Sequence, residues 1–333
     1  MSGKKMTFFV GMAVSLGFVL FAIAKLDFHR AIGAMLGVHV AWLLPLAAFW
    51  IVGLYVRSKR LRSIMIPLKL VPVKTLFSSV AICCMGNMVF PMRLGELMMV
   101  YVLAKKESLR KGGVLASVVL ERVFDIFSLL VLVAATLMVA KPAGVSPETL
   151  GRVKGFGMVA AVMAVAGMVF LYLLSSDRSG VSKLVDGLLC LLPNSVAQRC
   201  KSITESFRSG LQVFAHGGHV GAVIFYSSVM YALNIVFYIM AFLMFGLPFS
   251  PEVALVTSTF VIVGVALPSS PGSIGPFHAA IILGLGLYGV DAGTALGVAI
   301  FMHALLFLGN VSLGIYLAWK EKIGLTELRR SEA

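Results

Sequence analysis

Apolar residues recur along this chain in long unbroken blocks. Blocks at 7–24, 38–56, 114–140, 155–174, 220–246 and 293–319 each reach roughly the 18–20 residues that a helix needs to cross a bilayer. Two further blocks, 75–104 and 253–288, are apolar at both ends and interrupted in the middle. The first is broken by Pro91, Arg93, Gly95 and Glu96. The second is broken by "LPSSPGSIGP" (267–276), which carries Pro268, Pro271, Gly272 and Gly275; no continuous helix tolerates that run. A membrane β-barrel would show short alternating segments instead. The pattern therefore predicts an all-α polytopic membrane protein with six full spans and two re-entrant broken-helix hairpins.

The polar positions between blocks orient them, because cytoplasmic loops retain Lys and Arg. Segment 57–74 holds Arg57, Lys59, Arg60, Arg62, Lys69 and Lys74 without an acid. It reads as a cytoplasmic loop, which places the N-terminus inside as well. A single crossing by 75–104 would put the basic "KKESLRK" (105–111) outside, whereas a hairpin that returns keeps it inside. By the same logic 253–288 enters from the opposite face, and the tail 321–333 is cytoplasmic. Most of the 28 basic residues then lie inside, and only Arg93 and Arg122 remain within the membrane. Lys4 and Lys5 before the first block resemble a signal peptide, but that block exceeds the usual h-region and reads as a retained span.

Each half, 1–140 and 141–320, reads span, span, hairpin, span, starting from opposite sides. That is an inverted-topology repeat within one integral membrane domain, 1–333. Interrupted helices at matching places in two halves point to a transporter's binding site. The loop 175–218 is expected to be cytoplasmic and to contain an amphipathic surface helix.

Composition sharpens the class. Charged residues make up 13% of the chain and apolar ones 59%, with a mean hydropathy of +0.99, against about 25% charged in soluble domains. The net charge of +14 follows the loops, so no nucleic-acid partner is expected. Cys83, Cys84, Cys190 and Cys200 show no ligand spacing, and His216 and His219 have no carboxylate or cysteine nearby. No metal or cofactor is expected.

Five charges at membrane depth carry the candidate chemistry: Arg93, Glu96, Glu121, Arg122 and Asp125. Each costs about 2.5–3.5 kcal/mol at the bilayer centre when unpaired. Glu121 and Asp125 share a helix face and repel unless a cation or proton intervenes. Arg122 can pair with Asp125, and Arg93 is the expected partner of Glu121. The set carries one excess negative charge, so one carboxylate would be protonated by burial. Two readings stay open: a structural ion-pair network, or a cavity whose arginines grasp an anionic headgroup. His278, beside the second break, and His303, within the last block, read either as hydrogen-bonded packing residues or as part of the site.

Three motifs in order, "N-x-x-x-P-x-R-x-G-E" from Asn87, "E-R-x-x-D" from Glu121 and "P-x-x-P-G-x-x-G" from Pro268, carry a resemblance. The chain resembles the flippase-like membrane domain family, the transmembrane region of lysylphosphatidylglycerol synthases and of stand-alone relatives, over about residues 7–320. The resemblance implies lipid translocation between leaflets of the plasma (inner) membrane, or a related lipid-linked task, and the membrane-depth arginines point to an anionic lipid. The anion would be a phospholipid or a polyprenyl-phosphate-linked precursor. With the chain ending at Ala333, the aminoacyl-transfer activity of the synthases is not expected. His278 and His303 stand where many relatives have a glutamate and an arginine, so a contact is preserved while its charge changes. Arg93 and Arg122 would bind phosphate, while Glu96, Glu121 and Asp125 hold and release them. The alternatives are an intramembrane glycosyl- or phosphotransferase acting on a lipid carrier, and a non-catalytic subunit of a homo-oligomer or of a lipid-modifying enzyme.

Overall fold

A computed structural model describes residues 28–90, 93–141, 147–175, 217–247, 250–266 and 270–323. The expected span 7–24, Pro91, Pro268, Cys190, Cys200, His216, the surface helix expected within 175–218 and the tail beyond 323 lie outside the described residues.

All described secondary structure is helical. In chain order the helices are α1 (Phe28–Leu36), α2 (Leu43–Met65), α3 (Val73–Val89), α4 (Gly95–Glu107), α5 (Lys111–Val139), α6 (Pro147–Ser175), α7 (Gly217–Met244), α8 (Pro251–Ala266), α9 (Pro276–Gly286) and α10 (Ala292–Lys320). A short 3-10 turn, Pro271–Ser273, separates α8 from α9. Four segments, Val40–Met65, Lys111–Val139, His219–Met244 and Ala292–Lys320, are long and apolar enough to cross a membrane.

The interruptions fall where the sequence places them. α3 ends at Val89 and α4 begins at Gly95, with Arg93 at φ 55° between them. The left-handed region is costly for a residue with a Cβ, so the chain cannot continue its helix through Arg93. At the second break Gly272 (φ 66°) and Gly275 (φ 99°) take conformations that glycine adopts at no steric cost, and Pro271 and Pro276 open the 3-10 turn and α9. Gly95 is different from the expectation: it is a contact residue instead of a bend. A Cβ there would collide with the Cys83 carbonyl and lie 2.7 Å from Asn87 Oδ1, and one at Gly86 would lie 2.6 Å from the Gly95 Cα. The paired glycines let α3 and α4 cross nearly backbone to backbone.

The helix contacts come in matching pairs. α3 packs on α4 as α8 packs on α9. α3 leans on α10 as α8 leans on α5, and α2 lies against α7. α3, α4, α8 and α9 have 17, 13, 16 and 11 residues. At 1.5 Å per residue they reach roughly 17–26 Å, short of a hydrocarbon core of about 30 Å.

Two boundaries depart from the sequence reading. α1 was not anticipated. More consequentially, α2 runs through Arg57 and Arg60 to Met65, so the first part of 57–74 is helix packed inside the bundle. Leu54, Ser58, Leu61 and Met65 form its buried face.

Candidate functional site

α2, α4 and α5 converge on a cluster of charges. Glu121, on α5, is fully buried, accepts hydrogen bonds from Arg57 and Arg60, and forms an ion pair with Arg122. Arg57 grips it with two donors, Nε at 3.0 Å and Nη2 at 3.3 Å. Arg60 Nη2 reaches it at 2.9 Å and Arg122 Nη2 at 3.0 Å. One helical turn on, Asp125 forms ion pairs with Arg60 Nη1 at 2.6 Å and Arg122 Nη1 at 2.9 Å. Arg60 also donates to Ser227 on α7 at 3.4 Å, and Arg57 reaches Cys84 Sγ on α3 at 3.5 Å. Two cations therefore separate the carboxylates on this face: Arg60, only 1% exposed, and Arg122, 27% exposed.

This corrects two expectations. Arg93 does not pair with Glu121; its Nε lies 3.3 Å from Glu96 Oε1 instead. The α3–α4 break holds Arg93 beside its own helix, while the interior of the cluster is already filled from α2. The excess negative charge also disappears. With Arg57 and Arg60 included, four arginines face three carboxylates, and charge balance no longer calls for a protonated carboxylate.

Arg57 and Arg60 are the residues that sequence reasoning missed. The signal was present: no glycine or proline interrupts the chain between Gly53 and Pro67, and the two arginines are three apart on one helix face.

The outer edge of the cluster opens into a cleft of ≈ 330 Å³ between α4 and α5. Arg93, Glu96 and Arg122 supply its polar end, and Leu94, Leu97, Leu115, Val118 and Val119 its apolar wall. Leu97, Leu115 and Val119 are exposed on the surface of the bundle. Arg93 is the most accessible of the four cluster arginines at 45%, and Arg122 is 27% exposed.

The remaining expected site residues lie elsewhere. Asn87, on the last turn of α3, sits against Gly95 with Oδ1 buried and its Nδ2 3.9 Å from Cys83 Sγ. His278 and His303 are brought together, with ring centroids 4.9 Å apart, at the second break on α9 and α10. The His278 Nδ1 accepts from the Gly275 N–H at 3.4 Å. A Cβ on Gly272 would lie 3.4 Å from both His303 Nε2 and the Met88 carbonyl. The tip of the second interrupted segment thus rests on the end of the first.

No group of three or more His, Cys, Asp or Glu side chains is arranged to hold a metal among the described residues. The cluster instead places guanidinium groups at the polar end of an otherwise apolar cleft.

Comparison with known proteins gives a family. The family model for the lysylphosphatidylglycerol synthase transmembrane region matches residues 8–314. A protein named glycosyltransferase AglD, from Haloferax volcanii, is 26% identical over 248 residues, covering 66% of this chain. The chain spans only 39% of that relative's length. No solved structure matches the chain. Three ordered motifs, the interrupted helices and a family match across nearly the full length agree: the chain belongs to the family of lysylphosphatidylglycerol synthase transmembrane regions.

Proposed function

We propose that this protein moves an anionic lipid, a phospholipid or a polyprenyl-phosphate-linked precursor, between membrane leaflets. The observation that carries the reading is the cleft between α4 and α5, where Arg93 and Arg122 meet a wall of exposed apolar side chains. A lipid phosphate has the same two-part chemistry. Its charged group would take the guanidinium end, and its chains would stay in the bilayer along Leu97, Leu115 and Val119. Arg57, Arg60, Glu121 and Asp125 would hold α2 and α5 rigid behind the site.

In this reading α3–α4 and α8–α9 are re-entrant hairpins entering from opposite faces, in halves 1–140 and 141–320 of inverted topology. Both termini are cytoplasmic, and the protein lies in the plasma (inner) membrane. The short interrupted helices, the matched contacts and the meeting of Gly272 with Met88 support this arrangement. His278 and His303 would form the opposite wall of the passage.

Leaflet exchange in proteoliposomes tests the proposal, using headgroup-labelled phosphatidylglycerol and phosphatidylcholine. Wild type should exchange phosphatidylglycerol, and folded Arg93→Gln and Arg122→Gln proteins should do so at least about tenfold more slowly, as for loss of a partly desolvated charge contact. Exchange no faster than in protein-free vesicles would refute it.

The name of the Haloferax volcanii relative favours a second reading, an intramembrane glycosyltransferase acting on a lipid carrier. It predicts a glycosylated lipid when the purified protein is given a polyprenyl phosphate and a nucleotide sugar, and no product in the Arg93→Gln protein. A role as a subunit beside a lipid-modifying enzyme predicts neither product nor exchange by the protein alone.

A further inference from the structure

The outer edge of the charge cluster differs from its interior. Inside, Glu121 and Asp125 lie 2.6–3.0 Å from Arg57 and Arg60, and 2.9–3.0 Å from Arg122. Outside, Glu96 is the only carboxylate lining the cleft beside Arg93 and Arg122. Its Oε1 lies 3.3 Å from Arg93 Nε and 3.6 Å from Arg122 Nη1, and neither contact has hydrogen-bond geometry. Glu96 Oε1 and Arg122 Nε are buried without a hydrogen-bond partner, as are Asp125 Oδ1 and Arg60 Nε deeper in, so it is the longer ion-pair distances that set Glu96 apart. One oxygen thus sits loosely between two guanidinium groups, at the polar end of a cleft whose other walls are apolar. A phosphate oxygen would take this position better, because it brings further acceptors and can engage each arginine directly.

We propose that Glu96 is an internal competitor for the ligand: its carboxylate holds the anion position between Arg93 and Arg122, and a lipid phosphodiester of one net negative charge displaces it. The charge of the ligand follows from the count of four arginines against three carboxylates. A monoanion neutralises the single positive excess, whereas a phosphodiester carrying its own cation does not. The exposed wall of Leu97, Leu115 and Val119 makes the ligand a lipid rather than a soluble phosphate. Displacement also gives the headgroup a way out, because Glu96 can reclaim the arginines as the lipid leaves. The inference rests on the anionic-lipid reading above and sharpens it, giving Glu96 an effect opposite in sign to that of the arginine it touches.

Equilibrium binding of spin-labelled phosphatidylglycerol to the protein in phosphatidylcholine nanodiscs decides the matter. Removing a competing, partly exposed ion pair in Glu96→Gln should tighten binding about two- to fivefold, and Arg93→Gln should weaken it by at least as much. Spin-labelled phosphatidylcholine should respond less than twofold to either change. Inorganic phosphate should not displace the labelled phosphatidylglycerol; displacement would mean that the site takes a soluble anion and overturns the lipid class. Equal or weaker binding by Glu96→Gln, with Arg93→Gln also weakened, would overturn the competitor role and leave the anionic-lipid reading standing. Absence of saturable binding by wild type would remove that reading itself, and the competitor role with it. Should Glu96→Gln fail to fold, Glu96→Asp serves instead. Its shorter carboxylate cannot bridge both arginines, so it too should bind more tightly, and weaker binding would count against the proposal.

Discussion

Neutralising Glu121 should unfasten α2 from α5. In wild type the carboxylate accepts from Arg57 at 3.0 and 3.3 Å and Arg60 at 2.9 Å, and pairs with Arg122 at 3.0 Å, with no exposure to solvent. Glu121→Gln keeps the size and one acceptor oxygen, but replaces the other oxygen with a donor facing guanidinium groups. The local excess then rises from one positive charge to two, at a site where Arg60 is only 1% exposed. Removing one member of a buried ion pair costs about 3–5 kcal/mol, because the partners remain buried and unpaired. Spread over a chain of 333 residues, that is a fall in unfolding temperature on the order of 5–15 °C. The assay is thermal unfolding in detergent, followed by size-exclusion chromatography with the intrinsic tryptophan signal. Arg57→Gln in the Glu121→Gln background should recover part of the loss, since it removes one orphaned cation. An unfolding temperature for Glu121→Gln within about 2 °C of wild type would refute the reasoning, because the cluster would then not be holding the helices.

Three further outcomes follow from the helix crossings and caps. Gly95→Ala should cost about 2 kcal/mol or more through overpacking against the Cys83 carbonyl and Asn87, whereas Gly112→Ala, with nothing within 4 Å of its Cβ, should be tolerated; thermal unfolding of the two side by side checks this. Gly272→Ala, at φ 66° between His303 and Met88, should lose about 1–3 kcal/mol and loosen the contact between the two interrupted segments, read as faster cysteine labelling of Met88→Cys. Asp291 caps α10 by accepting from the Thr294 N–H at 3.0 Å. Hydrogen bonding from the Thr294 side chain, and then from its N–H, holds the carboxyl below the usual range. The stabilisation is present above the unfolded-state pKa and is lost as pH falls through the lower folded value. Asp291→Ala should therefore cost about 0.5–2 kcal/mol at neutral pH, with the difference in unfolding temperature closing in acid.

Much of the architecture was legible because lipid imposes two plain requirements: long apolar helices, and interruptions only where something repays them. Both breaks appear where proline and glycine cluster, and Glu121, Arg122 and Asp125 come together as their spacing implies. What escaped was depth. Positive-inside counting treats Arg57 and Arg60 as loop residues, because it registers charge and ignores which way a helix turns. Their burial depends on α5 and α7, whose positions no local window contains. The same blindness made Arg93 the expected partner of Glu121, since the competing arginines on α2 were not recognised as interior. The contact between His278 and His303 was anticipated through family resemblance; their spacing of 25 positions in the chain says nothing by itself.

The crossed contacts of the two interrupted segments bear on how the protein is made. α3 finds part of its packing surface on α10, and α8 finds part of its own on α5. α8 emerges from the ribosome with α5 already in place. α3 must wait for a helix that begins at Ala292, which takes roughly 10–40 s at ordinary rates of synthesis. Throughout that interval the α3 flank that Gly314 will meet at Met85 has only lipid, insertion machinery or a chaperone to cover it. Biogenesis of this fold is thus asymmetric in time even though its contacts are paired in space, and the first interrupted segment is the part most exposed to quality control.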